Sequence, residues 1–397
     1  MKSICRILVL ILFVLPLKAE EKATNPEDNL KSAKLAMEKN DMETAFTDLN
    51  KALEADPEYI AAYYYRSLVY ARKEENEKAR ADFNKMVTLS PKRLDDFLVI
   101  AELFIADEKY DRAIIYYNKA LELAPRNAEV FFWLADAKRM SGDFAHAVED
   151  YGKALELDPK NADSYVWRGY AYAQLKQPEK ALADYNKALE LDNKSCWAYY
   201  NRAILYFQRN EKMQGKSDID KAIELNPDFS QAYSFRSAYY ETGGDLAKAL
   251  LDLNKIVEMK EADADIYFRR GRCYFSTGKY NEAIEDFDDA VSRDLDHAPS
   301  YFYRALTYKK LNKPEEMIKD LVIVLKKDPE LAEAYIERGN YYLEKKDFDR
   351  SINDFVKALE LKPEYVEVKI KLAEACKAKG VPVPVFPALK KETPTNK

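Results

Sequence analysis

The chain has 397 residues, of which 47% are hydrophobic and 33% charged, with a net charge of −6. Two histidines, four cysteines and ten glycines leave no material for a zinc cluster, a haem site, a disulfide framework or a glycine-rich phosphate loop. Twenty-nine tyrosines point instead to an array in which one packing position is used again and again.

Residues 1–19 read as a targeting segment. Lys2 and Arg6 supply a positive start, Ile7 to Leu17 is an apolar run, and Ala19 offers a small residue before Glu20. The run is too short to span a bilayer, which needs about 20 apolar residues. Cys5 precedes the run, where an acylated lipoprotein cysteine would follow it. The expectation is an exported chain, periplasmic or secreted in a bacterium and in the secretory pathway of a eukaryote, with residues 20–25 as a linker. Loss of the leader's three basic residues would take the net charge from −6 to −9. Without a basic face, nucleic acid is not an expected partner.

From Pro26 onward the sequence repeats itself. Proline recurs at Pro57, Pro91, Pro125, Pro159, Pro227, Pro329 and Pro363, on a spacing of 34 residues. Ten repeats fill 26–59, 60–93, 94–127, 128–161, 162–195, 196–229, 230–263, 264–297, 298–331 and 332–365 without an insertion. Position 8 of each is small: Ala33, Ser67, Ala101, Ala135, Gly169, Ala203, Ser237, Gly271, Ala305 and Gly339. Position 4 is tyrosine or phenylalanine from the second repeat on, and position 11 is aromatic except at Ala36 and Lys138. Positions 4, 8 and 11 share one helical stripe.

A second helix follows in each repeat. Ala45, Ala79, Ala113, Ala147, Ala181, Ala249 and Ala283 lie seven residues before Ala52, Met86, Ala120, Ala154, Ala188, Ile256 and Ala290. Between them come Leu49, Phe83, Tyr117, Tyr151, Tyr185, Leu253 and Phe287, which completes an apolar face. Asn40-Asp41, Ser141-Gly142-Asp143 and Gly243-Gly244-Asp245 are turns, and Pro178 and Pro314 sit in the first turn of a second helix. The predicted repeat is therefore helix–turn–helix. Arginine precedes the small residue at Arg66, Arg168, Arg202, Arg236, Arg270, Arg304 and Arg338, and sixteen residues later stands an aspartate, from Asp82 to Asp354. This predicts a ladder of Arg–Asp pairs between the helices. Asp48 and Asp150 face Ser32 and Leu134, while the third repeat has Ile100 and Tyr116.

Segments such as Tyr165-Val166-Trp167-Arg168-Gly169-Tyr170-Ala171-Tyr172 and Ala181-Leu182-Ala183-Asp184-Tyr185-Asn186-Lys187-Ala188-Leu189 carry the pattern by which the chain resembles the tetratricopeptide-repeat family. The resemblance implies an all-α fold: a right-handed α-solenoid of antiparallel helix pairs, closed by a capping helix at 366–379 and followed by a Pro-rich tail at 380–397. It implies further that the first helix of each repeat lines a concave wall. The wall positions carry Tyr64, Leu68, Phe132, Tyr170, Trp197, Tyr200, Ile204, Phe207, Phe268, Phe275, Phe302 and Leu306, with Leu98, Ile105 and Val166 among their neighbours. Glu102, Asp136, Arg139, Glu241, Arg272 and Lys309 place charges among them. An apolar wall of this kind takes a protein segment. The alternative is that packing between repeats covers many of these rings.

The family's carboxylate-capturing members carry lysine at position 5 and asparagine at position 9, a combination this chain lacks, so capture of a peptide terminus is not expected. No catalytic residues, metal or cofactor are expected, because little chain remains outside the array. His146 and His297 fall at helix ends. The function expected is a non-catalytic scaffold or assembly factor. A holdase-like chaperone or a regulatory module of a separate enzyme are the alternatives. Asn193-Lys194-Ser195 would be a glycosylation sequon only in a eukaryotic host.

Overall fold

The computed structural model describes residues 25–384, so the expected targeting segment and the end of the tail lie outside the described residues. Every regular element among them is an α-helix. The chain divides into two compact units at Lys221/Ala222, and each is described by itself. The first holds α1 (Pro26–Glu38), α2 (Met42–Ala55), α3 (Ile60–Arg72), α4 (Asn76–Met86), α5 (Leu94–Ala106) and α6 (Tyr110–Leu123). It continues with α7 (Ala128–Met140), α8 (Phe144–Leu157), α9 (Ala162–Gln174), α10 (Pro178–Leu191), α11 (Cys196–Gln208) and most of α12 (Lys212–Leu225). The second holds α13 (Ser230–Thr242), α14 (Leu246–Glu258), α15 (Ala264–Ser276), α16 (Tyr280–Arg293), α17 (Ala298–Lys310), α18 (Pro314–Lys327), α19 (Ala332–Glu344), α20 (Phe348–Leu361) and α21 (Val366–Lys379).

Odd-numbered helices are the first of each pair and even-numbered helices the second. Local chemistry sets their ends. Asp41, Asp143, Asp245 and Asp347 accept the backbone N–H three residues on, closing the start of α2, α8, α14 and α20. Pro26, Pro178 and Pro314 open α1, α10 and α18, where a missing amide costs nothing. Between the helices of every pair one residue turns left-handed. Gly142, Gly244 and Asn40 do so in the three expected turns; Gly278 does so as well, and Glu74, Glu108, Lys176, Asn210, Asn312 and Lys346 join Asn40 at φ values of 56° to 62°. The next amide then reaches back to the position-11 carbonyl, as Asp41 does to Ala36 at 2.9 Å and Lys109 to Phe104 at 2.8 Å.

Packing inside a pair is close because position 8 is small. A Cβ added to Gly169, Gly271 or Gly339 would lie 2.8, 2.7 and 2.7 Å from the rings of Tyr185, Phe287 and Phe355. Those three rings are at most 1% exposed. The Arg–Asp ladder forms in all seven predicted repeats, with two hydrogen bonds each. Arg66 reaches Asp82 at 2.7 and 2.8 Å, Arg270 reaches Asp286 at 2.9 and 2.6 Å, and Arg338 reaches Asp354 at 2.8 and 2.7 Å. The aspartates are buried and the arginines partly so. In the second unit α21 covers Phe355, Ala358 and Leu359 with Val368, Leu372 and Cys376.

Candidate functional site

First helices of successive repeats touch one another: α1 with α3, α3 with α5, α7 with α9 and α9 with α11 in the first unit, and α15 with α17 in the second. Shorter spacing on that side makes it the inner side of each locally curved stack, so the residues facing inward belong to the odd-numbered helices.

In the first unit the expected wall residues separate into three groups. Tyr64 is only 3% exposed and Val166 only 1%, so both lie within the stack. Leu68, Phe132, Tyr170, Tyr200, Ile204 and Phe207 are half-buried. Trp197 is 38% exposed. Phe207 also has a structural role. A Cβ at Gly215 of α12 would lie 2.7 Å from its ring, which explains the glycine where the repeat pattern places alanine. Burial of Tyr64 and Phe207 follows from contact between neighbouring helices, which the repeat register does not encode.

The residue that sequence reasoning missed is Trp167, at position 6 on α9. Its ring lies 5.4 Å from Trp197 and 6.1 Å from Tyr170, and Trp197 meets Tyr200 edge-on at 5.9 Å. Arg139 of α7 stacks on Trp167 at 4.4 Å and is held by Asp136 at 2.7 Å, which also accepts from the Tyr151 hydroxyl at 2.9 Å. The result is an aromatic shelf braced by a partly buried ion pair. A signal existed: Tyr65, Trp133, Trp167, Phe235 and Tyr303 form a third aromatic column at position 6.

Tyr303 plays the same part in the second unit. Phe268, Phe275 and Phe302 surround it at 5.5, 5.9 and 6.1 Å, and Arg272 lies over Phe268 and Tyr303 at 5.6 and 5.5 Å. His297, at a helix end, packs edge-on against Phe268 at 5.0 Å with its Nδ1 2.7 Å from the Ser300 hydroxyl. Leu306 is half-buried. Phe302, Tyr303, Pro299 and Leu331 line a half-open cleft of about 380 Å³ whose polar edge is Asp328, Glu333 and Lys362.

Most wall charges are mutually satisfied. Glu241 accepts from Arg269 at 2.6 Å, and Lys309 donates to Glu337 at 2.5 Å. Glu102 on α5 differs: burial pushes its carboxyl up to about 7, and its Oε2 atom is enclosed without a hydrogen-bond partner. Cys273 and Cys376 are buried, and burial pushes the Cys273 thiol up to about 11, which suppresses its reactivity. No group of three or more metal-ligating side chains comes together among the described residues, and no described helix is long and apolar enough to cross a membrane.

Stacked helix pairs of fixed length with a side-chain-lined inner face define a helical-repeat interaction protein. The chain belongs to the tetratricopeptide-repeat family. Models described as tetratricopeptide repeat match residues 30–93, 97–127, 162–195, 184–218, 264–297 and 332–365, and one described as TPR repeat matches 135–176. Proteins of this family generally serve as non-catalytic scaffolds for protein–protein interaction. Comparison with curated proteins gives no match. Among solved structures, the C-terminal part of a TPR repeat-containing protein from Cytophaga hutchinsonii is 16% identical with a TM-score of 0.51, covering 61% of this chain and 99% of that one. A tetratricopeptide repeat protein from Parabacteroides merdae is 22% identical with a TM-score of 0.41, covering 71% and 98%. Yeast Tom70 is 17% identical with a TM-score of 0.43, covering 91% and 90%.

Proposed function

We propose that the chain is an exported, non-catalytic scaffold or assembly factor that holds an extended or helical apolar segment of another protein against its odd-numbered helices. The observation that carries this reading is the shelf of Trp167, Trp197 and Tyr200, in which the indole of Trp197 is presented at 38% exposure. Exposed indole next to fixed aromatic neighbours gives a large apolar contact with little rotamer entropy to lose, the usual character of an interface hot spot. The tetratricopeptide repeats supply the general role, and the leader-like segment 1–19 supplies the export.

Crosslinked capture by the exported chain, followed by mass spectrometry, tests the reading. One or two partners should be recovered stoichiometrically. Trp197→Glu should lower capture at least tenfold, equivalent to about 1.4 kcal/mol or more, while helix content and melting are retained. Undiminished capture by that variant removes the shelf as the binding surface. Suppression of aggregation of unrelated unfolded proteins, without selective capture, would establish the holdase reading instead.

A further inference from the structure

The half-open cleft of about 380 Å³ in the second unit lies at the starts of α17 and α19. Ala298, Pro299, Phe302 and Tyr303 of α17 line it together with Leu331, which precedes α19. Its volume falls within the range of ligand pockets, about 300–1,000 Å³. The preceding repeat shows how the chain can close such a place by itself. There His297, at position 34, lays its ring against Phe268, at position 5, with centres 5.0 Å apart. One repeat on, the same two positions carry Leu331 and Phe302. Leucine has no ring to lay on Phe302, and both residues stay half-buried beside the cleft. Other rings at position 34 are packed away, Tyr59 at 0% and Phe229 at 3% exposure.

The walls and the rim select what completes the cleft. Phe302 and Tyr303 stand nearly perpendicular, with 6.1 Å between centres and 85° between planes, so a third ring can meet one on its face and the other on its edge. The rim carries Asp328, Glu333 and Lys362. Glu333 is already satisfied, accepting from the Lys362 Nζ and from the Tyr365 hydroxyl, each at 2.6 Å. Asp328 accepts the Glu330 amide at 3.1 Å and makes no ion pair among the described residues. Its charge is the one left over at the rim, and it favours a cation beside the apolar part of the occupant.

We propose that this cleft receives an aromatic side chain of a bound protein segment, with a lysine or arginine next to it in that segment reaching Asp328. The proposal rests on the reading of the chain as a segment-binding scaffold and names a second place on it, in a different unit from the Trp197 shelf. The incoming ring takes the place that His297 fills one repeat earlier, and the cation neutralises Asp328. An apolar segment slides easily along aromatic rings, whereas a seated ring beside an ion pair fixes its register.

Defined peptides added to the full chain test it, read through the ¹³C-labelled methyl of Ala298. Acetyl-Phe-Lys-amide should shift that resonance and bind at least fivefold more tightly than acetyl-Ala-Lys-amide or acetyl-Phe-Glu-amide. Leu331→Phe, which supplies the chain's own ring, should abolish the shift while helix content and melting are retained. Asp328→Asn keeps the turn, as Asn226 does by accepting the Asp228 amide at 3.1 Å. It should erase the preference for lysine over glutamate and leave that for phenylalanine over alanine. No shift with any peptide, equal binding of the phenylalanine and alanine peptides, or undiminished binding by Leu331→Phe overturns the cleft. An unchanged lysine-to-glutamate ratio in Asp328→Asn overturns the place of the cation. Trp197→Glu, in the first unit, should leave these affinities as they are. If partner capture is untouched by Trp197→Glu while Ala298 still reports the preference, the shelf falls and the cleft stands.

Discussion

The tyrosine excess has a residue-scale cause beyond apolar packing. Ladder arginines lie against the rings of their own helix: Arg66, Arg168, Arg202 and Arg270 between those at positions 4 and 11, and Arg236, Arg304 and Arg338 over the one at position 4. Arg270 is 5.6 Å from the centre of Tyr267 and 5.8 Å from that of Tyr274, and also donates to Asn254 of the preceding second helix at 3.0 Å. The guanidinium thus joins two helices of one repeat and a third from the repeat before. Arg270→Ala would leave the Asp286 carboxylate buried and unpaired, and should destabilise the chain by about 3 kcal/mol in urea unfolding. A shift under about 1 kcal/mol would show the ladder to be dispensable. Three repeats solve the same problem differently. Ser32 donates to Asp48 at 2.6 Å, and Lys138 to Asp150 at 2.5 Å. In the third repeat Tyr116 packs between Phe97 and Phe104 at 6.4 and 5.5 Å, replacing the ion pair with rings. The sixteen-residue spacing made the main ladder legible. Lys138 was not, because it sits at an aromatic position and replaces an arginine one turn earlier on α7.

At the scale of the element, each helix pair is fixed by its turn and by the small residue at position 8. The left-handed turn was legible only where glycine or asparagine announced it. Glu74, Glu108, Lys176 and Lys346 adopt the same φ under tertiary constraint, at a steric cost that glycine avoids. Glu108→Gly should therefore raise stability by about 0.5 kcal/mol despite the freer unfolded chain, measured as a higher urea midpoint. A lower midpoint would mean that the unfolded-state entropy dominates. Glycine occupies position 8 only where a ring faces it, at Tyr185, Phe287 and Phe355. Gly215 and Phe207 obey the same rule across a turn, an exchange of small for large that no single repeat reveals. Ser351, at an alanine position, donates its hydroxyl to the Gly339 carbonyl at 3.0 Å and so remains compatible with burial.

At the scale of the whole molecule, most carboxylates among the described residues are solvated or paired, and Glu102 is the one whose carboxyl burial raises to about 7. Its carboxyl moves from 4.5 to about 7, so between those values the unfolded chain releases a proton that the folded chain keeps. Stability should fall as pH rises through that window and level off above it, by an upper limit of about 3 kcal/mol. Asp96, Asp286 and Asp320 are displaced in the same direction by burial. Urea unfolding of wild type and Glu102→Gln from pH 5 to pH 8 checks the assignment. The variant's curve should be flatter over pH 5 to 7, and parallel curves would place the titration elsewhere.

What the amino-acid sequence determined by itself was everything that recurs: the helix-pair repeat, its register, its small and aromatic framework and most of its ion pairs. Periodicity exposes such features because every repeat must solve the same packing problem. Only the tertiary structure decided what neighbouring helices do to residues outside the period. It buried Tyr64 and Val166, seated Phe207 against Gly215, brought Trp167 beside Trp197, and enclosed Glu102 without a partner. These outcomes depend on which particular side chains meet between adjacent repeats, and pairing across the stack leaves no mark in the spacing of a single repeat.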